Sequence, residues 1–197
     1  AQIRYDKGGD EHYNVISAFI KSIRGSDPQA AVYYLARMIE GGEDVKFIAR
    51  RLTISAAEDV GLANPNALML ANETFSAVER VGWPESRIIL SQCTIYLATS
   101  PKSNSAYTAI GKAQKLVQQT GNLEVPDHLK NASSALAKDL GHGKNYLYPH
   151  DHPGGFVPQE YLPKEIQGSV LWSPASNGKE QQISAQQKSM WKDKYEG

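Results

Sequence analysis

From Val15 to Val117 the apolar side chains recur at intervals of three and four residues, and glycine or proline stops the pattern every fifteen to twenty positions. A recurrence of that period makes one apolar stripe along an α-helix, whereas a half-buried strand needs strict alternation. The chain is therefore expected to be all-α over residues 1–140. Val15, Ile16, Phe19, Ile20 and Ile23 form the first stripe, with Asp10 as its expected N-cap and Gly25 as its stop. Asp27-Pro28 restarts the chain as N-cap and N1, where a missing N–H costs nothing. Ala31, Tyr34, Leu35, Met38 and Ile39 form the second stripe, which ends at Gly41-Gly42.

A third helix is expected from Glu43 to Val60, with Glu43 and Asp44 at its positive end and Gly61 as its close. A fourth is expected from Ala67 to Val81, before Gly82. Pro84 opens the fifth at N1. Ile88, Ile89, Leu90, Cys93, Ile95, Tyr96, Leu97 and Ala98 cover most of that helix, a pattern that places it at the centre of the core. A sixth helix, capped by Ser103 or Asn104, aligns Tyr107, Ile110 and Val117. A weaker seventh spans Pro126 to Leu140.

Composition changes at Gly141. Residues 141–178 are rich in Gly and Pro and carry several aromatics, which reads as a loop region pinned to the helices by Tyr146, Tyr148, Phe156, Tyr161 and Trp172. A polar last helix, anchored by Ile183, Met190 and Trp191, is expected within residues 179–197. The expected organisation is thus a helical domain at 1–140, an irregular segment at 141–178 packed on it and a C-terminal helix at 179–197.

Charge and cysteine count narrow the function classes. Lys plus Arg and Asp plus Glu number 21 each, and a net charge of zero argues against a dedicated nucleic-acid-binding module. The lone Cys93 allows no intrachain disulfide and fits a reducing, cytoplasmic setting. No apolar run reaches the roughly 18 residues that span a membrane. The start has neither an apolar signal core nor an initiator Met, so the sequence reads as a piece of a longer protein entered at a domain boundary.

Few strings suggest chemistry. There is no Walker A pattern and no dinucleotide glycine fingerprint; Gly141-His142-Gly143-Lys144 lacks the preceding strand and the following Ser or Thr that a phosphate loop needs. No serine stands in a Gly-x-Ser-x-Gly elbow, and Cys93 reads as a packed thiol. His150-Asp151-His152 is the sharpest metal-like string, with His142 as the nearest further ligand; a proline-bounded loop satisfying its own backbone explains it as well. Arg50 and Arg51, mid-helix, admit three readings: a solvated face, an ion pair to Glu58, Asp59 or a neighbouring subunit, or contact with phosphate. Lys144 interleaved with Tyr146 and Tyr148 gives a weak single-strand-binding pattern. The candidate interface or binding residues are Arg50, Arg51, Lys144, Tyr146, Tyr148, His150, Asp151 and His152.

A set of ordered strings carries a family resemblance. They are Tyr5-Asp6-Lys7, Gly9-Asp10-Glu11-His12-Tyr13-Asn14, Ile16 through Pro28, Tyr33 through Met38, Phe47 through Leu52, Glu58 through Ala63, Ile95-Tyr96-Leu97-Ala98, Pro101-Lys102-Ser103-Asn104, Gly143-Lys144, Tyr148-Pro149-His150-Asp151 and Gln159 through Pro163. The chain resembles the C-terminal region of the replication-associated recombination protein A family, also called MgsA, whose eukaryotic relative interacts with the Werner helicase. The resemblance implies a AAA+ ATPase related to clamp-loader subunits, acting at stalled replication forks and in recombination. It implies an all-α, collar-like domain here that forms a homotetramer. ATP, Mg and the catalytic residues would belong to upstream domains, and DNA and replication proteins would be met through the parent protein. One departure is Leu147, where the family tends to carry a basic residue. Two readings of other classes stand beside this one: a metal-binding or metal-dependent catalytic domain using His142, His150, Asp151 and His152, and a DNA-contacting domain using Arg50, Arg51 and Lys144.

Overall fold

A computed structural model describes residues 9–196. The Tyr5-Asp6-Lys7 string lies outside the described residues. Eight α-helices account for most of the chain, and no strand occurs among the described residues. They are α1 (Asp10–Arg24), α2 (Pro28–Glu40), α3 (Val45–Ser55), α4 (Asn66–Val81), α5 (Ser86–Thr99), α6 (Ser105–Thr120), α7 (Ala135–Asp139) and α8 (Gly178–Trp191). The expected fold class, all-α, is what the structure has.

The chain divides into two compact units. The first comprises residues 9–108 with 174–181, the second residues 109–173 with 182–196. In the first unit α5 is the hub, packed against α1, α2, α3 and α4. Phe19, Ile23, Leu35, Met38, Ile48, Leu52, Leu90 and Leu97 are its large buried apolar residues. Burying each of these stabilises the fold by roughly 1.5–3 kcal/mol.

Local chemistry sets most helix ends. Asp27 caps α2 by accepting from Ala30 N–H at 3.0 Å, with Pro28 at N1 as expected. Asp44 accepts from Lys46 N–H at 3.0 Å, so α3 begins after it, at Val45 and not at Glu43. Glu43 instead pairs with His12 at 3.0 Å. Gly9, not Asp10, stands at the N-cap of α1. Pro84 is not the first residue of α5: it lies in the preceding turn, after a cis Trp83–Pro84 peptide, and Ser86 N–H reaches back to Gly82 O at 3.0 Å.

Two further expectations are corrected. The helix expected to run to Val60 stops at Ser55, then widens into a π turn over Ala56–Val60 and a 3-10 turn over Gly61–Ala63. Asp59 Oδ1 meets Arg24 Nε at 2.8 Å within this π turn, and a Gly61 backbone at φ 50°, which an α-helix cannot continue, ends it. The seventh helix is confined to Ala135–Asp139, with a separate 3-10 turn at Asp127–Leu129, because Pro126 and Ser134 each restart the chain. The fifth helix lies at the centre of the core, as expected, but one side of it is open. Ile88 is 59% and Ile95 42% exposed, one above the other across two turns, while Leu90, Cys93 and Leu97 face inward.

The second unit is built differently. Among its described residues no side chain is fully buried. Trp191 at the end of α8 gathers Phe156 and Tyr161 edge-on, with ring centroids at 5.1 and 6.3 Å. Lys194 lies over the Trp191 ring at 4.6 Å and pairs with Glu160 at 2.9 Å. His128 Nε2 bonds Glu160 O at 2.6 Å, and Gly143 N–H donates to Asp127 O at 2.7 Å.

Candidate functional site

Two buried polar clusters and two open faces are the features with chemical content. The first cluster forms where the π turn meets the end of α1. Arg24 Nε donates to Asp59 Oδ1 at 2.8 Å, and its Nη2 stands 3.7 Å from Glu58. The Asp59 hydrogen bond is the main cause that raises the Arg24 pKa. Arg24, 35 residues away in sequence, is thus the partner of these acids; Arg50 and Arg51 are not. Asp59 is buried, and its Oδ2 finds no hydrogen-bond partner. The Asp59 carbonyl accepts from Ser103 N–H at 2.7 Å, and Gly61 sits so close to the Ser103 carbonyl that a Cβ there would lie 2.8 Å from its oxygen. Lys102 Nζ donates to Ala98 O (3.1 Å), Ser100 O (2.6 Å) and Ser26 Oγ (3.1 Å), closing the end of α5. Burial lowers the Lys102 pKa, and the Asp59 charge opposes that shift.

The second cluster surrounds Glu180, which is fully buried. Its Oε2 accepts from Ser105 Oγ (2.7 Å) and Ala175 N–H (2.9 Å), and its Oε1 from Asn177 Nδ2 (2.8 Å). Asn177 in turn caps α8 by accepting from Glu180 N–H at 3.0 Å. Burial pushes the Glu180 carboxyl up, but the hydrogen bonds from Ser103, Ala175, Asn177 and Ser105 outweigh it and hold the group below the usual carboxylate range. The carboxylate also lies at the N-terminal end of α6, where the helix dipole favours negative charge. Sequence reasoning missed this residue. Its signal was the Asn177-x-x-Glu180 spacing, a capping box.

The first open face is a groove of about 530 Å³ between α2 and α5, lined by Val32, Ala36, Ile39, Ile88 and Ile95, with Glu40 and Arg87 on its rim. The second is the loop of residues 144–152. Tyr146 and Tyr148 do not pin it to the helices as expected; they are 44% and 53% exposed. Phe156 and Tyr161 do pack on Trp191. The Gln159 side-chain amide bonds both polar groups of Leu147 and so anchors the loop backbone between the two tyrosines.

The sequence-derived candidates fall in two separate places. Arg50 is exposed and Arg51 half-buried on α3; the Arg51 Nε is buried without a partner. Lys144, Tyr146, Tyr148, His150 and Asp151 are exposed on the one loop, with His152 half-buried behind them. The Tyr148 and His150 rings meet at 5.2 Å. His142, His150, Asp151 and His152 are not drawn together as ligands: among the described residues no three His, Cys, Asp or Glu side chains form a group able to hold a metal. No helix among the described residues is long and apolar enough to cross a membrane.

Fold and surfaces together define an all-helical domain with open apolar and aromatic faces. Its sequence matches the family model described as MgsA AAA+ ATPase C terminal over residues 25–191, and residues 1–24 match the model of a AAA C-terminal domain. The chain belongs to the MgsA family of AAA+ ATPase C-terminal domains. It is 48% identical over 89% of its length to replication-associated recombination protein A of Bacillus subtilis, covering 41% of that protein. Identity to the Escherichia coli K12 protein of the same name is 40% over 91% of the chain, covering 40% of the relative. The ATPase WRNIP1 of Dictyostelium discoideum is 41% identical over 85% of the chain, which spans 19% of it. The chain therefore spans well under half the length of these relatives.

Proposed function

We propose that this chain is the self-assembly and interaction domain of a clamp-loader-like AAA+ ATPase that acts in replication and recombination, and that it gathers its parent into a homotetramer. One observation carries the reading. The second unit has no fully buried side chain among its described residues, yet it holds Ile110, Val117, Val125, Leu136 and Leu140 at least half exposed. Ile110 and Val117 stand two turns apart on one face of α6. Apolar side chains set out along a helix face are the form of a contact surface, and closed homo-oligomers are the commonest way to cover one.

On this reading the ATP, Mg and catalytic groups are supplied by upstream parts of the parent; one relative is named an ATPase, and the matching family model is that of a AAA+ ATPase C terminus. Assembly through this domain sets the spacing of the ATPase modules. DNA and replication proteins are then met by the parent protein in a cytoplasmic setting. The α2–α5 groove adds a further open face.

Light scattering over a concentration series tests the proposal. The expected mass approaches four times 21.6 kDa, and Ile110→Asp with Leu140→Asp lowers it while the helical circular dichroism persists. A mass of one chain at every concentration would overturn it.

A further inference from the structure

The loop of residues 144–152 carries a property that assembly does not use. Leu147 N–H donates to Gln159 Oε1 at 3.2 Å, and Gln159 Nε2 donates to Leu147 O at 2.7 Å. A single side-chain amide thus takes the place of a neighbouring strand. Gln159 Nε2 also donates to Tyr161 Oη at 2.9 Å, which fixes the clamp itself. A residue whose N–H and C=O both meet one amide group must point the two the same way, as extended backbone does, and Tyr148 beside it is extended at φ −76° and ψ 112°. In extended backbone the residues on either side project to the same face, about 6.6 Å apart. Tyr146 and Tyr148 are those residues, and both are exposed. The His150 ring lies against the Tyr148 ring.

The surroundings are polar. Apart from Leu147 and Pro149, residues 144–152 offer Lys144, Asn145, His150, Asp151 and His152. Lys144 is exposed and forms no ion pair among the described residues. The core of a protein–protein interface is depleted in charged groups, so rings on this polar bed are poorly placed to be one. Bases stack on such rings without regard to sequence, and a cation beside them meets the phosphate backbone. A backbone already held in place has little further ordering cost on binding.

We infer that Tyr146, Tyr148 and His150 form a stacking platform for single-stranded nucleic acid, with Lys144 contacting a phosphate. The exposed carboxylate of Asp151 repels phosphate, which sets the backbone path at the Lys144 end of the loop. The inference stands independently of self-assembly.

The test is fluorescence anisotropy of a fluorescein-labelled oligodeoxythymidine titrated with the whole 197-residue chain at low salt. The chain is expected to bind, and Tyr146→Ala or Tyr148→Ala each to raise Kd about ten-fold, the scale of one lost base stack. Tyr148→Phe keeps the ring and should leave Kd nearly unchanged. Tyr13→Ala, an exposed tyrosine of the other unit, serves as the control. Melting curves confirm that each variant is folded. No binding by the parent chain, or an unchanged Kd in both alanine variants, would overturn the inference. So would a Tyr148→Ala variant that loses solution mass without losing the oligonucleotide, since the loop would then be a subunit contact.

Discussion

The hydroxyl of Ser105 donates to the carboxylate of Glu180, 75 positions further along the chain, with Oγ and Oε2 2.7 Å apart. This bond, with those from Ala175 N–H and Asn177 Nδ2, ties residues 174–181 to the start of α6. Glu180→Ala removes the shared acceptor and leaves buried donors unmet. A loss of about 2–3 kcal/mol is expected, read as a fall in melting temperature of several degrees. An unchanged melt would show that the tie is idle.

Acid should release the same tie. Glu180 and Glu160 are both held below the usual carboxylate range: in each, burial pushes upward and is outweighed, at Glu160 by Lys194 and the Leu162 N–H first. Their folded pKa values are lower than the unfolded ones, so the unfolded chain takes up protons first as pH falls. The stability they contribute is complete above the ordinary carboxylate value, roughly 4.3, and drains as pH drops through the folded values below it. Urea midpoints measured from neutral pH downward should fall in that window, and Glu180→Gln should flatten the fall.

Gly61 is fixed by space as well as conformation. Its φ of 50° and the Ser103 carbonyl, 2.8 Å from any added Cβ, both oppose a side chain. Gly61→Ala should cost at least about 2 kcal/mol. Gly82, at φ 75° with open space around it, makes the comparison: Gly82→Ala should cost less, because only the backbone strain remains. Equal costs would remove the role of the Ser103 contact.

The two sides of α5 should respond differently to truncation. Leu90 is fully buried, so Leu90→Ala should cost about 2–5 kcal/mol. Ile88, 59% exposed on the groove, should cost about 1 kcal/mol or less on the same change. Chemical denaturation of both variants decides the point.

Cys93 should be silent in the folded chain. It is buried, and burial raises its pKa against a weaker opposing hydrogen bond from Thr74. A thiol reagent should react fully in denaturant and barely at all without it. Reaction in the folded state at the rate of a free thiol would place Cys93 at the surface.

What could be read in the sequence is what neighbours along the chain decide. The stripe of Val15, Ile16, Phe19 and Ile23 declares a helix and its buried side, because residues three and four apart share a face. Asp27-Pro28 declares a helix start, because one side chain and one ring settle the local backbone. Gly82 declares an end in the same way. Family membership was legible too, since it rests on ordered strings and needs no contact.

Only the tertiary structure decided the rest. Arg24, not Arg50 or Arg51, meets Asp59, and that pairing sits at the π turn. Nothing within one helix specifies a partner 35 residues away. Ile88 and Ile95 belong to an apolar helix, but they are 59% and 42% exposed, so α5 has an open face that its composition conceals. Tyr146 and Tyr148 read as anchors because aromatics usually seek burial, yet they are 44% and 53% exposed, and the Gln159 amide holds the loop backbone between them. Periodicity and capping act over one or two turns, whereas burial and charge pairing depend on which distant segments the folded chain brings within reach.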